Sequence, residues 1–217
     1  MKVLSRLLSA AAAAAVCLVL AGTTTAAADP TSLEGGTRLY VAGPWLCTAA
    51  FNVRLGTVGF MVMPGDCGEV GDSVDGPGHV PIGVVTAKTQ NSTLDVILVR
   101  VNNTEDWQQG PWVSGQGGPT VTITGSTAAP IGAQVRMSGP ASGTRTGVVS
   151  ARNATINTAE GPLNGLTRTS ICAAAGDLGA PVYAGGQAQG YVIGGSACQT
   201  YILPINPVLA AYQLQLF

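Results

Sequence analysis

The 217-residue chain has a formal net charge of −1, only 10% charged residues and 30 glycines. No basic cluster interrupts it, which excludes nucleic acid and anionic membrane as expected partners. An apolar content of 46% excludes a disordered chain, and the glycine-rich, weakly charged mixture is that of a compact β protein with many tight turns.

Residues 1–28 have the three parts of a secretory signal: basic Lys2 and Arg6, an apolar run from Leu7 to Gly22, and the small-residue site Ala26-Ala27-Ala28. The run is shorter than the roughly 20 residues a membrane helix needs. Cleavage near Asp29 is therefore expected, with Cys17 lost alongside the signal and no stable membrane insertion afterwards. An uncleaved anchor is the alternative. Either way the protein is expected to be secreted or held in the cell envelope.

Residues 29–36 lack periodicity and read as a flexible leader, ahead of one large domain over residues 37–217. Short apolar runs then alternate with turn residues at Leu39–Ala42, Cys47–Val53, Thr57–Met63, Ile82–Thr86 and Leu94–Val101. This spacing predicts antiparallel strands in a sandwich or barrel. The polar stretch Asn102–Gly118, with Trp107 and Trp112, reads as the connection between two halves, about 37–117 and 118–217. Those tryptophans are expected to pack over a barrel end. The second half repeats the texture at Thr120–Thr124, Ala133–Met137, Gly147–Ala151, Ala154–Asn157, Leu166–Ile171, Pro181–Tyr183, Gly190–Ile193 and Thr200–Pro204. Two sets of about six strands follow, and a short helix is predicted over Val208–Leu214, with Asn206 as cap and Pro207 in its first turn.

Cys47, Cys67, Cys172 and Cys198 remain after the signal, an even number in an exported chain that predicts two disulfides, with three pairings open. Zinc is disfavoured because there is one histidine and no Cys-x-x-Cys spacing. No metal or cofactor is expected. Sequons at Asn91, Asn102 and Asn153 are present but not expected to carry sugar, because the alanine-rich signal is bacterial in style.

Several motifs stand in a meaningful order. Leu33-Glu34-Gly35-Gly36 is followed by Cys47-Thr48-Ala49-Ala50-Phe51-Asn52-Val53-Arg54, then Asp95-Val96-Ile97-Leu98-Val99-Arg100, then Ser170-Ile171-Cys172. Gly176-Asp177-Leu178-Gly179-Ala180-Pro181, Gly194-Gly195-Ser196-Ala197-Cys198 and Pro204-Ile205-Asn206 complete the series. Over nearly all of the chain after the signal this resembles the bacterial chymotrypsin-like serine proteases of the streptogrisin and alpha-lytic type. The resemblance implies an all-β fold of two six-stranded antiparallel barrels with a short C-terminal helix and a cleft between the barrels. It also implies disulfides Cys47–Cys67 and Cys172–Cys198, and an internal ion pair between Arg136 and Asp177.

A serine-protease relay needs a nucleophile, a base to take its proton and a carboxylate to orient that base. The resemblance places Asp95 at the carboxylate, but Met63-Pro64-Gly65-Asp66-Cys67 puts Asp66 where the histidine belongs. Leu178 stands at the nucleophile, and Ile193 replaces a serine that supports the carboxylate. What the resemblance leaves intact is the oxyanion turn, with the backbone N–H groups of Gly176 and Leu178, and the cleft wall Ile193-Gly194-Gly195. His79 lies in a turn-rich stretch and reads as a solvated loop histidine, and Gly71-Asp72-Ser73 imitates a nucleophile motif only by coincidence.

The expectation is thus a monomeric, catalytically inactive homologue that binds a peptide or protein. One alternative is a hydrolase using another nucleophile or the Asp66/Asp95 pair. The other is a structural cell-envelope protein.

Overall fold

The computed structural model describes residues 29–196 and 198–217; the predicted signal segment lies outside the described residues. The first half contributes β1 (Thr31–Gly35), β2 (Arg38–Val41), β3 (Trp45–Thr48), β4 (Asn52–Leu55), β5 (Val58–Met63), β6 (Ser73–Asp75), β7 (Pro81–Gln90), β8 (Asp95–Val101), β9 (Trp107–Gly115) and β10 (Gly118–Thr122). The second contributes β11 (Gln134–Gly139), β12 (Gly143–Thr158), β13 (Gly161–Thr169), β14 (Pro181–Ala184), β15 (Gln187–Ser196) and β16 (Gln199–Pro204). Helix α1 (Ile205–Tyr212) and β17 (Gln215–Leu216) follow.

The predicted all-β class holds, and the second half closes as a six-stranded barrel in the order β11-β12-β13-β16-β15-β14. The first-half strands β2–β8 form an eight-stranded sheet with the C-terminal β17 at its edge, in the order β17-β4-β5-β8-β7-β6-β2-β3, flanked by a three-stranded sheet, β1-β9-β10. Two expectations are corrected by that smaller sheet. The leader is not loose: β1 runs parallel to β9, Leu33 is fully buried, and the Asn52 amide donates to the Leu33 and Gly110 carbonyls. Nor is Asn102–Gly118 a mere connection, since it holds the nine-residue β9. Its polar residues are employed: Gln109 donates to the Asn52 side chain at 3.0 Å and to the Phe60 carbonyl at 2.8 Å. The boundary shifts accordingly, because β10 pairs with β9 and the closed barrel begins only at Gln134.

Smaller corrections have local causes. The run Cys47–Val53 breaks into β3 and β4, and the two runs across 147–157 fuse into the long β12, where Asn153 takes a left-handed φ of 55°. Helix α1 starts earlier than expected, at Ile205, so Asn206 sits inside it and donates to the Ser126 carbonyl instead of capping.

Three apolar clusters hold these sheets. One lies within the first half around Leu39, Met61 and Ile97, and one inside the second-half barrel around Val135, Met137 and Ile202. The third joins the halves, placing Ala50, Val62, Val96 and Leu98 against Leu163, Tyr191 and Leu203. Trp107 is buried in the first cluster with its indole N–H on the Pro81 carbonyl. Both implied disulfides form, Cys47–Cys67 and Cys172–Cys198. Cys47–Cys67 closes a loop of sequence separation 20, worth about 3 kcal/mol by chain entropy. The double variant Cys47→Ala/Cys67→Ala is expected to lose about that much stability, read as a lower urea midpoint with a slope that rises as the freed unfolded chain expands.

Candidate functional site

The site grows from the junction of the two halves. The turn Gly176–Ala180 of the second half presses on the first: the Thr48 N–H donates to the Leu178 carbonyl at 3.1 Å and the Thr48 hydroxyl to the Gly176 carbonyl at 3.4 Å. Gly179 must be glycine here. It has a φ of +88°, and a Cβ would meet the Thr48 carbonyl oxygen at 2.4 Å. Beneath the turn, the fully buried Asp177 carboxyl accepts from the N–H groups of Ala141, Ser142 and Ala174 at 3.0, 3.1 and 2.9 Å, and from the Ser142 hydroxyl.

That network overturns the expected ion pair. Arg136 lies exposed on β11, in register with Thr146 and Tyr183, and makes no ion pair among the described residues. Neutral donors fill the lone pairs of Asp177 in its place, so no charged partner is needed to satisfy it.

Across the junction, Asp66 sits on the short 3-10 turn Gly65–Cys67 and Asp95 opens β8. The side-chain amide of Gln90 bridges them: its nitrogen donates to Asp66 Oδ1 at 2.7 Å and to Asp95 Oδ1 at 3.0 Å. Gln90 ends β7 directly opposite Asp95 in the β7–β8 hairpin. The turn is tied by Asn91, whose side-chain oxygen accepts from the Thr93 and Leu94 N–H groups. Gly65 is glycine because a Cβ would lie 2.3 Å from Asp95 Oδ1 and 2.6 Å from Gln90 Cγ. Motif spacing did not single out Gln90; its signal was the hairpin register, which makes the residue before the turn the cross-strand neighbour of Asp95.

Burial dominates the electrostatics of Asp95. Desolvation pushes its carboxyl above the usual carboxylate range, opposed by the Gln90 hydrogen bond, with the Asp66 charge pushing further upward. Behind it, the buried Tyr191 hydroxyl donates to the Asp95 backbone carbonyl at 2.8 Å, and burial, with the Asp95 charge adding, holds that phenol well above its ordinary value. Ile193, two residues along β15, belongs to the apolar cluster joining the halves, so it offers Asp95 no hydroxyl.

Beside the turn lies a cavity of about 370 Å³, lined by Ala173–Gly176, Leu178, Val192, Gly194–Ser196 and Thr200. None of these lining residues is charged. Its wall is a strand edge. Gly194, Gly195 and Ser196 pair with β16 on one side, while β14 pairs with β15 only as far as Tyr191, so the cavity side of these residues has no partner strand among the described residues. A larger hollow of about 800 Å³ lies elsewhere, around Trp107, Arg100 and Phe217, and no predicted site residue lines it. The one histidine, His79, is exposed on the turn Pro77–His79 with its ring 4.1 Å from that of Tyr40, apart from the Asp66–Gln90–Asp95 bridge.

The comparisons with known proteins agree with this architecture. No family profile matches the chain. Over 189 residues it is 38% identical to streptogrisin-C of Streptomyces griseus, covering 85% of this chain but only 41% of that protein. It is 31% identical to serine protease 2 of Streptomyces fradiae, covering 77% of this chain and 98% of that one. The crystal structure of Thermobifida fusca protease A superimposes with a TM-score of 0.77 at 36% identity, over 86% of this chain and 98% of that one. The chain belongs to the chymotrypsin-like serine protease family of the streptogrisin and alpha-lytic type. Membership of that family accounts for the double-barrel-like arrangement.

Of the predicted site residues, the structure brings Asp66 and Asp95 together through Gln90, and Gly176, Leu178, Gly194 and Gly195 together around the cavity. Ile193 lies behind that wall in the core, and Arg136 stands apart.

The raised Asp95 value gives a pH prediction with a definite sign. A carboxyl whose folded pKa lies above its unfolded one binds protons more tightly when folded, so stability falls as pH rises from the ordinary value of 3.8 through the folded value. Asp95→Asn is expected to remove that fall. Its urea midpoint relative to the parent should be higher at pH 7 than at pH 3; an equal offset at both would refute the assignment.

Proposed function

We propose that this protein is a secreted, non-catalytic, monomeric member of the streptogrisin-type family that holds an extended peptide at the cavity beside Leu178, without metal or cofactor. The observation that carries the reading is the Gln90 amide joining Asp66 to Asp95. Proteolysis by this fold needs a base between the carboxylate and a nucleophile. Here an amide that neither takes nor gives a proton at neutral pH lies against the carboxylate, and Leu178 supplies no hydroxyl. Loss of either the serine or the histidine alone costs about a million-fold in turnover. An Asp66/Asp95 hydrolase is disfavoured by the same bridge, because Gln90 already occupies a lone pair on each carboxyl.

Binding makes smaller demands. An extended segment can add as a strand to the open edge Gly194–Ser196, with main-chain hydrogen bonds for affinity and one side chain entering the cavity for selectivity. The uncharged lining of alanine, glycine, valine and leucine favours an apolar side chain there. Export is consistent with the two disulfides, which persist in oxidising compartments.

The first test is chemical. The wild type is expected to leave peptide substrates intact and to resist a serine-directed fluorophosphonate, whereas cleavage or labelling would overturn the reading. Asp66→His/Leu178→Ser/Ile193→Ser should restore labelling only with Gln90 also reduced to Ala, which vacates the bridge. The second test is a blocking variant. At Gly195 a Cβ would meet the Gln199 carbonyl at 2.2 Å, so the block is placed at the exposed Ala174. Ala174→Trp should weaken peptide binding at least about tenfold, equivalent to 1.4 kcal/mol, in a titration of the folded protein.

A further inference from the structure

Three observations around Leu178 narrow the ligand beyond a generic peptide. The first concerns the turn's backbone. Among the described residues, neither the Gly176 nor the Leu178 N–H donates a hydrogen bond, although both residues line the cavity. Three N–H groups of the same turn are engaged: Asp177 N–H donates to the Ala174 carbonyl, Gly179 N–H to the Val192 carbonyl, and Ala180 N–H to the Asp177 carbonyl. The last bond fixes the peptide unit that carries the Leu178 N–H. The Leu178 donor is therefore held beside the cavity, and the Gly176 donor lies on the same turn.

The second concerns charge. No residue lining the cavity carries a carboxyl or an amine, so an anion seated on the two donors meets no acidic side chain in the lining. Hydrogen bonds to an ionised acceptor are roughly twice as strong as neutral ones. The third concerns room. The Leu178 side chain is half-buried and packs against the first-half core, which contains Cys47, Ala49, Met63 and Cys67. A chain seated with an acyl oxygen on the two N–H groups has to pass that isobutyl group to continue toward the first half. A chain that ends there does not.

We propose that the cavity is a receptor for peptide carboxyl termini: the terminal carboxylate accepts from the Gly176 and Leu178 N–H groups, the last side chain, apolar and uncharged, fills the cavity, and the preceding residues pair with Gly194–Ser196. This rests on the peptide-holding reading above and specifies which peptides are held. Capture of a terminal carboxylate by backbone donors is a known recognition mode, and it needs no side chain at Leu178 beyond one that closes the far exit.

The test begins with a random hexapeptide library bearing free carboxyl ends, screened on the full folded protein. The best binder is resynthesised in three forms: free acid, carboxyl-terminal amide, and the same sequence extended by two residues. In fluorescence anisotropy the free acid is expected to bind at least about tenfold more tightly than both other forms. Equal affinity for the extended form would overturn this inference and leave the peptide-holding reading standing. A library without any binder would overturn both. Leu178→Ala, checked for folding by circular dichroism, should open the exit and bring the extended form to within about threefold of the free acid. An unchanged ratio in the folded variant would show that Leu178 does not close it.

Discussion

The buried carboxyl of Asp177 is the constraint on which the site depends. It is fully inaccessible to water, yet its oxygens are met by three backbone N–H groups and one hydroxyl drawn from two separate segments, Ala141–Ser142 and Ala174. A buried acceptor left without donors costs about 1–3 kcal/mol per missing bond, more when charged, so the group recruits the loop around it. Because Asp177 lies between Gly176 and Leu178, satisfying its side chain also fixes the direction in which their backbone N–H groups point. Thr48 then pins the same turn from the first half through the Gly176 and Leu178 carbonyls. The geometry of the cavity rim is thus set by carbonyls, amides and one carboxyl, and by no residue that a protease would count as its nucleophile or base.

The Asp66–Gln90–Asp95 bridge, outside the cavity lining, obeys a different logic. Asp66 and Asp95 are two acidic groups at one bridge, and the Asp66 charge adds to the cost of ionising the buried Asp95. A single amide nitrogen carries two hydrogens, and Gln90 directs one to each carboxyl. The bridge offsets part of the desolvation of Asp95 without introducing a cation. It is also a closed arrangement, because the donors of that amide are spent and nothing in it is poised to exchange protons at neutral pH.

Much of this was legible in the sequence, and the exceptions have a common cause. The all-β class follows from the spacing of short apolar runs, while the closed second barrel, both disulfide pairings and the gathering of Gly176, Leu178, Gly194 and Gly195 follow from the resemblance that the ordered motifs carry. What escaped depended on partners remote in the chain. Thr31–Gly35 has no periodicity of its own to announce a strand, and it becomes one because β9 lies alongside. The polar Gln108 and Gln109 disguise β9 as a loop, although the Gln109 amide satisfies buried groups of β4 and β5. Arg136 was expected to pair with Asp177 because the family resemblance places an arginine there, whereas neutral donors from nearby segments suffice. Gln90 carries no motif, and only the hairpin register sets it against Asp95.

Proteases of this fold combine two functions that are physically separable. Proton transfer resides in side chains, and a substitution such as leucine at position 178 abolishes the hydroxyl at once. Orientation of an acyl group resides in backbone N–H groups, which every residue except proline supplies. The same substitution therefore leaves the donors at Gly176 and Leu178 in place while adding apolar volume beside them. The turn Gly176–Ala180 retains the features that aim those donors: the buried Asp177, the left-handed Gly179 and the Thr48 contacts. On the proposed reading, a scaffold of this kind without its relay can still recognise an acyl or carboxyl group through its backbone. What it selects is then decided by the shape of the cavity and by which exits its side chains close.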